Sequence, residues 1–270
     1  MNRSGTLIRP DCSIRYEVAG SGPALVFAHG VGGNHLSWWQ QLAHFAPRHT
    51  CVAFSHRGFM PSSPVPGETA PDGFADDLAA LLEELKLEEV RLVAQSMGGW
   101  TCLEYTLRHP AKVRALVMAS TSGRIDYKQL RGPGAAEIAQ WVQQSPKTAA
   151  DLEARGILTA TGERMAAEQP AAALLYRQIS QLTPAEFRTA ARVRIMQQRT
   201  QSPEVLKQLK IPVLFLAGDE DCVYPSAAGP ELAALAPRGQ AVRLPRAAHS
   251  VYFERPVEFN QIVGDFLSKT

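Results

Sequence analysis

The residues Ala94-Gln95-Ser96-Met97-Gly98-Gly99 follow an apolar run and open a helical pattern. A strand that turns abruptly into a helix holds its corner residue in a strained backbone and projects that side chain above the sheet. The positions two before and two after the corner pass close to each other and must be small. Ala94 and Gly98 meet that demand, with Ala94 one methyl larger than the G-x-S-x-G pattern. Ser96 is therefore a candidate nucleophile, and the alternative is a plain helix N-cap. The first N–H of the following helix, from Met97, would point where an oxyanion forms.

A second loop, His29-Gly30-Val31-Gly32-Gly33, follows the apolar run Ala24 to Ala28. Its glycines let the backbone approach a ligand and turn N–H groups inward. Val31 would supply a second oxyanion donor, and Gly30 would lie against the substrate. Otherwise the segment is a simple turn. His29 reads as a brace for the loop.

A serine hydroxyl is a poor nucleophile until a base removes its proton. Among seven histidines, His249 stands in a loop after the last short strand, at the sheet end where open α/β folds bind ligands. His35, His44, His49, His56 and His109 read as surface or structural. The partner acid belongs in Leu216-Ala217-Gly218-Asp219-Glu220-Asp221. Asp221 fits a G-x-x-D spacing and is preferred, Asp219 is the second choice, and Glu220 reads as solvated. Such an acid fixes the imidazole tautomer and stabilises the imidazolium.

Short apolar runs must position these groups. Ala24–Ala28, Cys51–Phe54, Val90–Gln95, Val113–Ala119, Pro212–Ala217 and the weaker Gln240–Leu244 read as strands. Leu7–Ile8 and Ser13–Val18 read as a leading antiparallel hairpin. Helical patterns cover Trp38–Ala46, Phe74–Leu85, Gly98–Arg108, Ser226–Leu235 and Val257–Leu267. The alternation predicts an α/β fold: a mostly parallel eight-stranded sheet with helices on both faces.

From Ser122 to Lys210 no buried strand is visible. Pro133, Pro146, Pro170, Pro184 and Pro203 suit the first turns of several short helices. Residues 122–210 are thus expected to form a helical insert, with 1–121 and 211–270 as the core. The insert carries 13 Lys and Arg against 8 Asp and Glu, which reads as a solvated helix surface.

Composition narrows the function classes. Of the 270 residues 45% are hydrophobic and 20% charged, an ordinary globular balance. A net charge of +2 gives no sign of a nucleic-acid or anionic-membrane partner. Cys12, Cys51, Cys102 and Cys222 are scattered, so neither a disulfide framework nor a metal site is expected. Met1 to Asp11 is polar and no apolar run reaches membrane length, which points to a soluble, cytoplasmic protein.

Taken together these motifs resemble the α/β-hydrolase fold superfamily, most closely its single-domain members with a helical cap. The resemblance spans nearly the whole chain except the insert. Tyr16-Glu17-Val18-Ala19-Gly20-Ser21-Gly22-Pro23 resembles the family's lead-in to the His-Gly loop, and His56-Arg57-Gly58 its RG turn. His249 with Glu254-Arg255-Pro256 resembles its closing motif. Two departures stand out: Ser55 occupies a position usually held by an acid, and Met60 one usually held by glycine. The chain order Ser96, Asp221, His249 is the family's order.

The resemblance implies a serine hydrolase that cleaves an ester or lactone of a small, largely apolar molecule. Val31 and Met97 would bind the oxyanion, with no cofactor or metal. Trp38, Trp100, Trp141 and Val223 are candidate pocket walls, although buried aromatics are commonly core. A monomer or homodimer is expected. The same constellation also serves carbon–carbon bond hydrolases, for which Asn34 and Arg192 are candidate extra residues. Slow-turnover receptors, such as those for strigolactones, also resemble the family. A serine at the corner does not fit haloalkane dehalogenases or epoxide hydrolases.

Overall fold

The computed structural model describes residues 2–63 and 71–270. In chain order the first half comprises β1 (Arg3–Ile8), β2 (Ser13–Ala19), β3 (Ala24–Ala28), α1 (Trp39–Phe45), β4 (Thr50–Phe54), α2 (Phe74–Glu84), β5 (Val90–Gln95), α3 (Gly98–Arg108) and β6 (Val113–Ala119). Four helices follow: α4 (Ala135–Ala154), α5 (Gly162–Glu168), α6 (Pro170–Gln181) and α7 (Ala185–Gln197). The chain closes with β7 (Val213–Gly218), α8 (Ala228–Leu235), β8 (Gly239–Leu244), α9 (Val251–Glu254) and α10 (Pro256–Leu267).

The strands form one 8-stranded sheet in the order β1-β2-β4-β3-β5-β6-β7-β8. The β1–β2 and β2–β4 pairs are antiparallel, and the remaining pairs are parallel. The pleat of β3 explains why its run is continuously apolar. Ala24, Val26 and Ala28 enter a core under α2, α3 and α8, whereas Leu25 and Phe27 enter a second core under α1 and α10. A strand buried on both faces cannot alternate with polar residues. Edge strand β1 is longer than the sequence pattern suggests. It pairs from Arg3 with β2, but most of its residues are exposed, so no apolar run announces its start.

Among the described residues no strand of the sheet lies between Ala119 and Val213. The base of this helical insert is closed by a bridge between Ile125 and Gln201, with Asp126 N–H donating to the Gln201 carbonyl at 2.9 Å. Pro170 and Pro203 occupy first-turn positions, as expected. Pro146 does not. It lies inside the 20-residue helix α4, where its missing N–H removes one intrahelical bond without ending the helix. The departures at the RG turn are absorbed locally. The buried Ser55 hydroxyl meets His35 Nδ1 at 2.9 Å, and Met60 N–H donates to Thr183 Oγ1 at 3.0 Å, tying this turn to the insert. All four cysteines are free; Cys12, Cys51 and Cys102 are buried and Cys222 is half-buried.

The tightest backbone approach lies at the start of α3. A Cβ on Gly98 would sit 2.1 Å from the Ala28 carbonyl oxygen and 3.0 Å from the Ala28 side chain. The crossing that demands glycine is thus between α3 and β3. Gly98→Ala should destabilise the protein by about 1–3 kcal/mol through overpacking, although alanine is the better helix former by about 1 kcal/mol. Urea denaturation measures this directly, and a stabilised variant would contradict the packing.

Candidate active site

Strand β5 ends at Gln95, and Ser96 turns the chain into α3 with φ of 50°. A non-glycine residue in this left-handed region costs on the order of 1–2 kcal/mol. The surroundings hold it there: Ser96 N–H donates to Ala119 O on β6 at 3.0 Å, and Gly99 N–H returns to Ser96 O at 2.9 Å. The Ser96 side chain reaches a cavity of about 300 Å3 at the carboxyl ends of the parallel strands. His249 lines the same cavity.

Asp221 sits behind His249. Its Oδ2 lies 2.8 Å from His249 Nδ1. Its Oδ1 accepts N–H bonds from Val223 at 2.7 Å and Tyr224 at 2.9 Å, so the buried carboxylate has partners on both oxygens. With Nδ1 donating to Asp221, Nε2 is the nitrogen left to act in the cavity. Of the rival acids, Asp219 pairs with Arg243 and Glu220 with Arg164, both near the surface. The structure therefore brings Asp221, and neither rival, to the imidazole.

The loop carrying His249 is pinned on several sides. Ala248 N–H donates to buried Glu254 Oε2 at 2.7 Å. Ser250 N–H donates to the Ala160 carbonyl of the insert at 3.0 Å, and Gln95 Nε2 donates to the His249 carbonyl at 3.2 Å. Burial raises the Glu254 carboxyl above its ordinary value, against the pull of the Ala248 N–H.

Val31 and Met97 both line the cavity. Neither N–H donates to a protein acceptor among the described residues, so both remain available to a ligand oxygen. Behind them His29 is fully buried. Its Nδ1–H donates to the Gly30 carbonyl at 2.8 Å, and its Nε2 accepts the His56 N–H at 2.9 Å. Burial lowers the His29 pKa to about 3, which keeps this brace neutral.

Trp100 and Val223 line the cavity, as the sequence suggests. Three other expected wall residues do not. Trp38 is buried in the core under α1, its ring 4.2 Å from Tyr252 and 5.1 Å from Phe27, because its helical turn faces the sheet. Trp141 donates its indole N–H to the Asp221 carbonyl at 2.7 Å, bracing the acid's turn from the insert. Gly30 makes room instead of contact. A Cβ there would lie 2.2 Å from Gln95 Oε1 and 2.9 Å from Ser96 Cβ. The remaining walls come from the insert, including Leu158, Tyr176, Arg188, Arg192, Ile195 and Arg199. Of these the sequence pointed only to Arg192; the four-residue spacing of Arg188 and Arg192 was the available signal for the helix face. Among the described residues no group of three His, Cys, Asp or Glu is placed to hold a metal ion. No helix among them is long and apolar enough to cross a membrane.

Residues 23–256 match the family model of the alpha/beta hydrolase fold, and the chain belongs to that family. A Mycobacterium tuberculosis protein provisionally named non-heme bromoperoxidase BpoC is 28% identical over 260 residues, spanning 95% of this chain and 98% of its own. The 3-oxoadipate enol-lactonase 2 of Acinetobacter baylyi is 29% identical over 145 residues, 50% of this chain and 54% of its own. Among solved structures, a thermophilic esterase from Thermogutta terrifontis superposes with a TM-score of 0.79 at 23% identity, covering 100% of this chain and 98% of its own.

The buried histidines give the fold an acid limit. Burial lowers His29 to about 3 and His35 to about 4, and His56 lies well below its ordinary value for the same reason. Each binds its proton more weakly folded than unfolded. Their contribution to stability is complete above about pH 6.5, falls as pH drops below that value, and is lost by the folded values. Melting temperature should therefore decline between pH 6.5 and pH 4, and a flat profile there would contradict neutral, buried imidazoles.

Proposed function

We propose that this protein is a serine hydrolase that cleaves a carboxylic ester or lactone of a small molecule with an apolar body. The observation that carries the proposal is the shared cavity of Ser96 and His249, with Asp221 on the far nitrogen of the imidazole. In this reading residues 122–210 form a cap over the site, and 1–121 with 211–270 form the catalytic core.

His249 Nε2 takes the proton of Ser96 Oγ as the oxygen attacks the substrate carbonyl carbon. The carbonyl oxygen becomes an oxyanion facing the Val31 and Met97 N–H groups. The α3 N-terminus adds a favourable partial charge there. The carbon–oxygen bond to the leaving group then breaks, and His249 returns its proton to the departing alkoxide. Water attacks the acyl-enzyme, giving a proton to His249, which passes it to Ser96 as the acid leaves. Asp221 keeps the imidazole in the tautomer that presents Nε2 and offsets its positive charge in both halves. In a lactone the leaving alkoxide stays in the same molecule. The reaction calls on no cofactor.

The esterase and enol-lactonase names among the similar proteins support this reading. A carbon–carbon hydrolase has one of its two candidate residues in the cavity, Arg192. The other, Asn34, is buried elsewhere, its Oδ1 accepting Leu36 N–H at 2.9 Å as a helix cap.

Hydrolysis of p-nitrophenyl esters from acetate to decanoate tests the proposal. Ser96→Ala should lose about 10^4-fold or more in kcat, and Asp221→Asn about 10^3–10^4-fold. Turnover unchanged in Ser96→Ala would overturn the mechanism.

A further inference from the structure

Helix α7 docks on the elbow through Ala191 and Ile195, which pack with Met97 and Trp100. The same helix brings Arg188 and Arg192 to the cavity, one turn apart, and Arg199 follows just past its end. Among the described residues no aspartate or glutamate lines this cavity. Two other arginines of the insert are neutralised, by contrast: Arg155 pairs with Asp151 and Glu163, and Arg164 with Glu168 and Glu220.

The three cavity arginines differ in what already holds them. Arg188 donates Nη1–H bonds to the Ser180 and Thr183 carbonyls and so fastens the α6–α7 junction. Burial, then the Arg192 charge, lowers its pKa. Arg192 lines the cavity while remaining exposed to solvent, and it has no hydrogen bond or ion pair among the described residues. The Arg199 guanidinium lies 5.1 Å from the Trp100 ring centroid and 4.9 Å from that of Tyr127, within cation–π distance of both rings. Its Nε and Nη1 are buried without a hydrogen-bond partner among the described residues. Buried donors and like charges without a counterion are unfavourable in the free protein. A planar anion of carboxylate shape matches a guanidinium's paired donors.

We propose, resting on Ser96 as the nucleophile, that the ester or lactone carries a free carboxylate, which Arg192 and Arg199 hold while its carbonyl lies at Ser96. The rest of the cavity, with Trp100, Ile195 and Val223, accommodates the apolar spacer between the two ends. The substrate class is a carboxylate-bearing ester or lactone, in contrast to neutral acyl esters. Hydrolysis would give a dicarboxylate and an alcohol where the carboxylate lies on the acyl side, a simple carboxylate and a hydroxy acid where it lies on the leaving alkoxide, and a single hydroxy dicarboxylate from a lactone.

Two matched pairs of esters test this: p-nitrophenyl hemiglutarate against p-nitrophenyl valerate, and 4-acetoxybenzoate against phenyl acetate. The charged member of at least one pair should have kcat/KM at least about tenfold higher, mostly through KM. Arg192→Gln and Arg199→Gln should collapse that ratio, Arg192→Lys should retain part of it, and Lys147→Gln, which removes an exposed charge on α4, should leave it unchanged. A neutral member equal or better in both pairs would overturn the proposal, as would a preference that survives both glutamine variants. Thermal melting of Ser96→Ala separates this result from a failure of the hydrolase reading. Millimolar glutarate should raise its Tm, glutaramide should not, and the shift should vanish when Arg192→Gln is added. No shift with glutarate, or a larger one with inorganic phosphate, would contradict carboxylate recognition even if no ester is cleaved.

Discussion

The contact between Gly98 and the Ala28 carbonyl governs the geometry of the cavity floor. Because α3 starts against β3 with no side chain between them, the chain must turn at Ser96 through a left-handed backbone. That turn carries the hydroxyl out of the sheet and leaves the Met97 N–H without a protein acceptor among the described residues. The glycine loop after β3 arrives beside it, and its Gly30 has no side chain to collide with Ser96. The outward Ser96 hydroxyl and the neighbouring Val31 and Met97 N–H groups are therefore consequences of one parallel strand pair, β3 with β5, and the loops that leave their carboxyl ends.

Electrostatic order is imposed around this floor by buried partners. Asp221 receives two backbone N–H bonds, so its charge is stabilised before His249 is counted. Neutral His29 ties the glycine loop after β3 to the His56 loop. The insert takes part as well: Trp141 braces the turn of Asp221, and Ala160 holds the loop of His249. The helical segment that lines the cavity thus also holds the loops that carry Asp221 and His249.

Much of this arrangement was legible in the sequence because its signals are local. The Ala94-to-Gly99 turn, the His29-to-Gly33 loop and the continuous apolar strands each carry their constraint within a few residues. The cavity walls were harder to read, because they depend on which face of a helix meets which strand. Trp38 and Trp100 are both buried tryptophans on helical turns, yet Trp38 packs into the core under α1 and Trp100 reaches the cavity wall. Pro146 shows the same limit, since the packing of α4 outweighs the local preference to end a helix. The grouping of Arg188, Arg192 and Arg199 becomes visible only when α7 is laid on the elbow.

The central claim is that Ser96 becomes covalently acylated with His249 as its base. Intact-protein and peptide mass spectrometry after rapid acid quench of an activated-ester reaction tests it most directly. The account predicts one added acyl mass on the peptide containing Ser96, absent in Ser96→Ala and formed far more slowly in His249→Gln. Acylation at another residue, or steady ester turnover with no acyl-enzyme and full activity in Ser96→Ala, would contradict it.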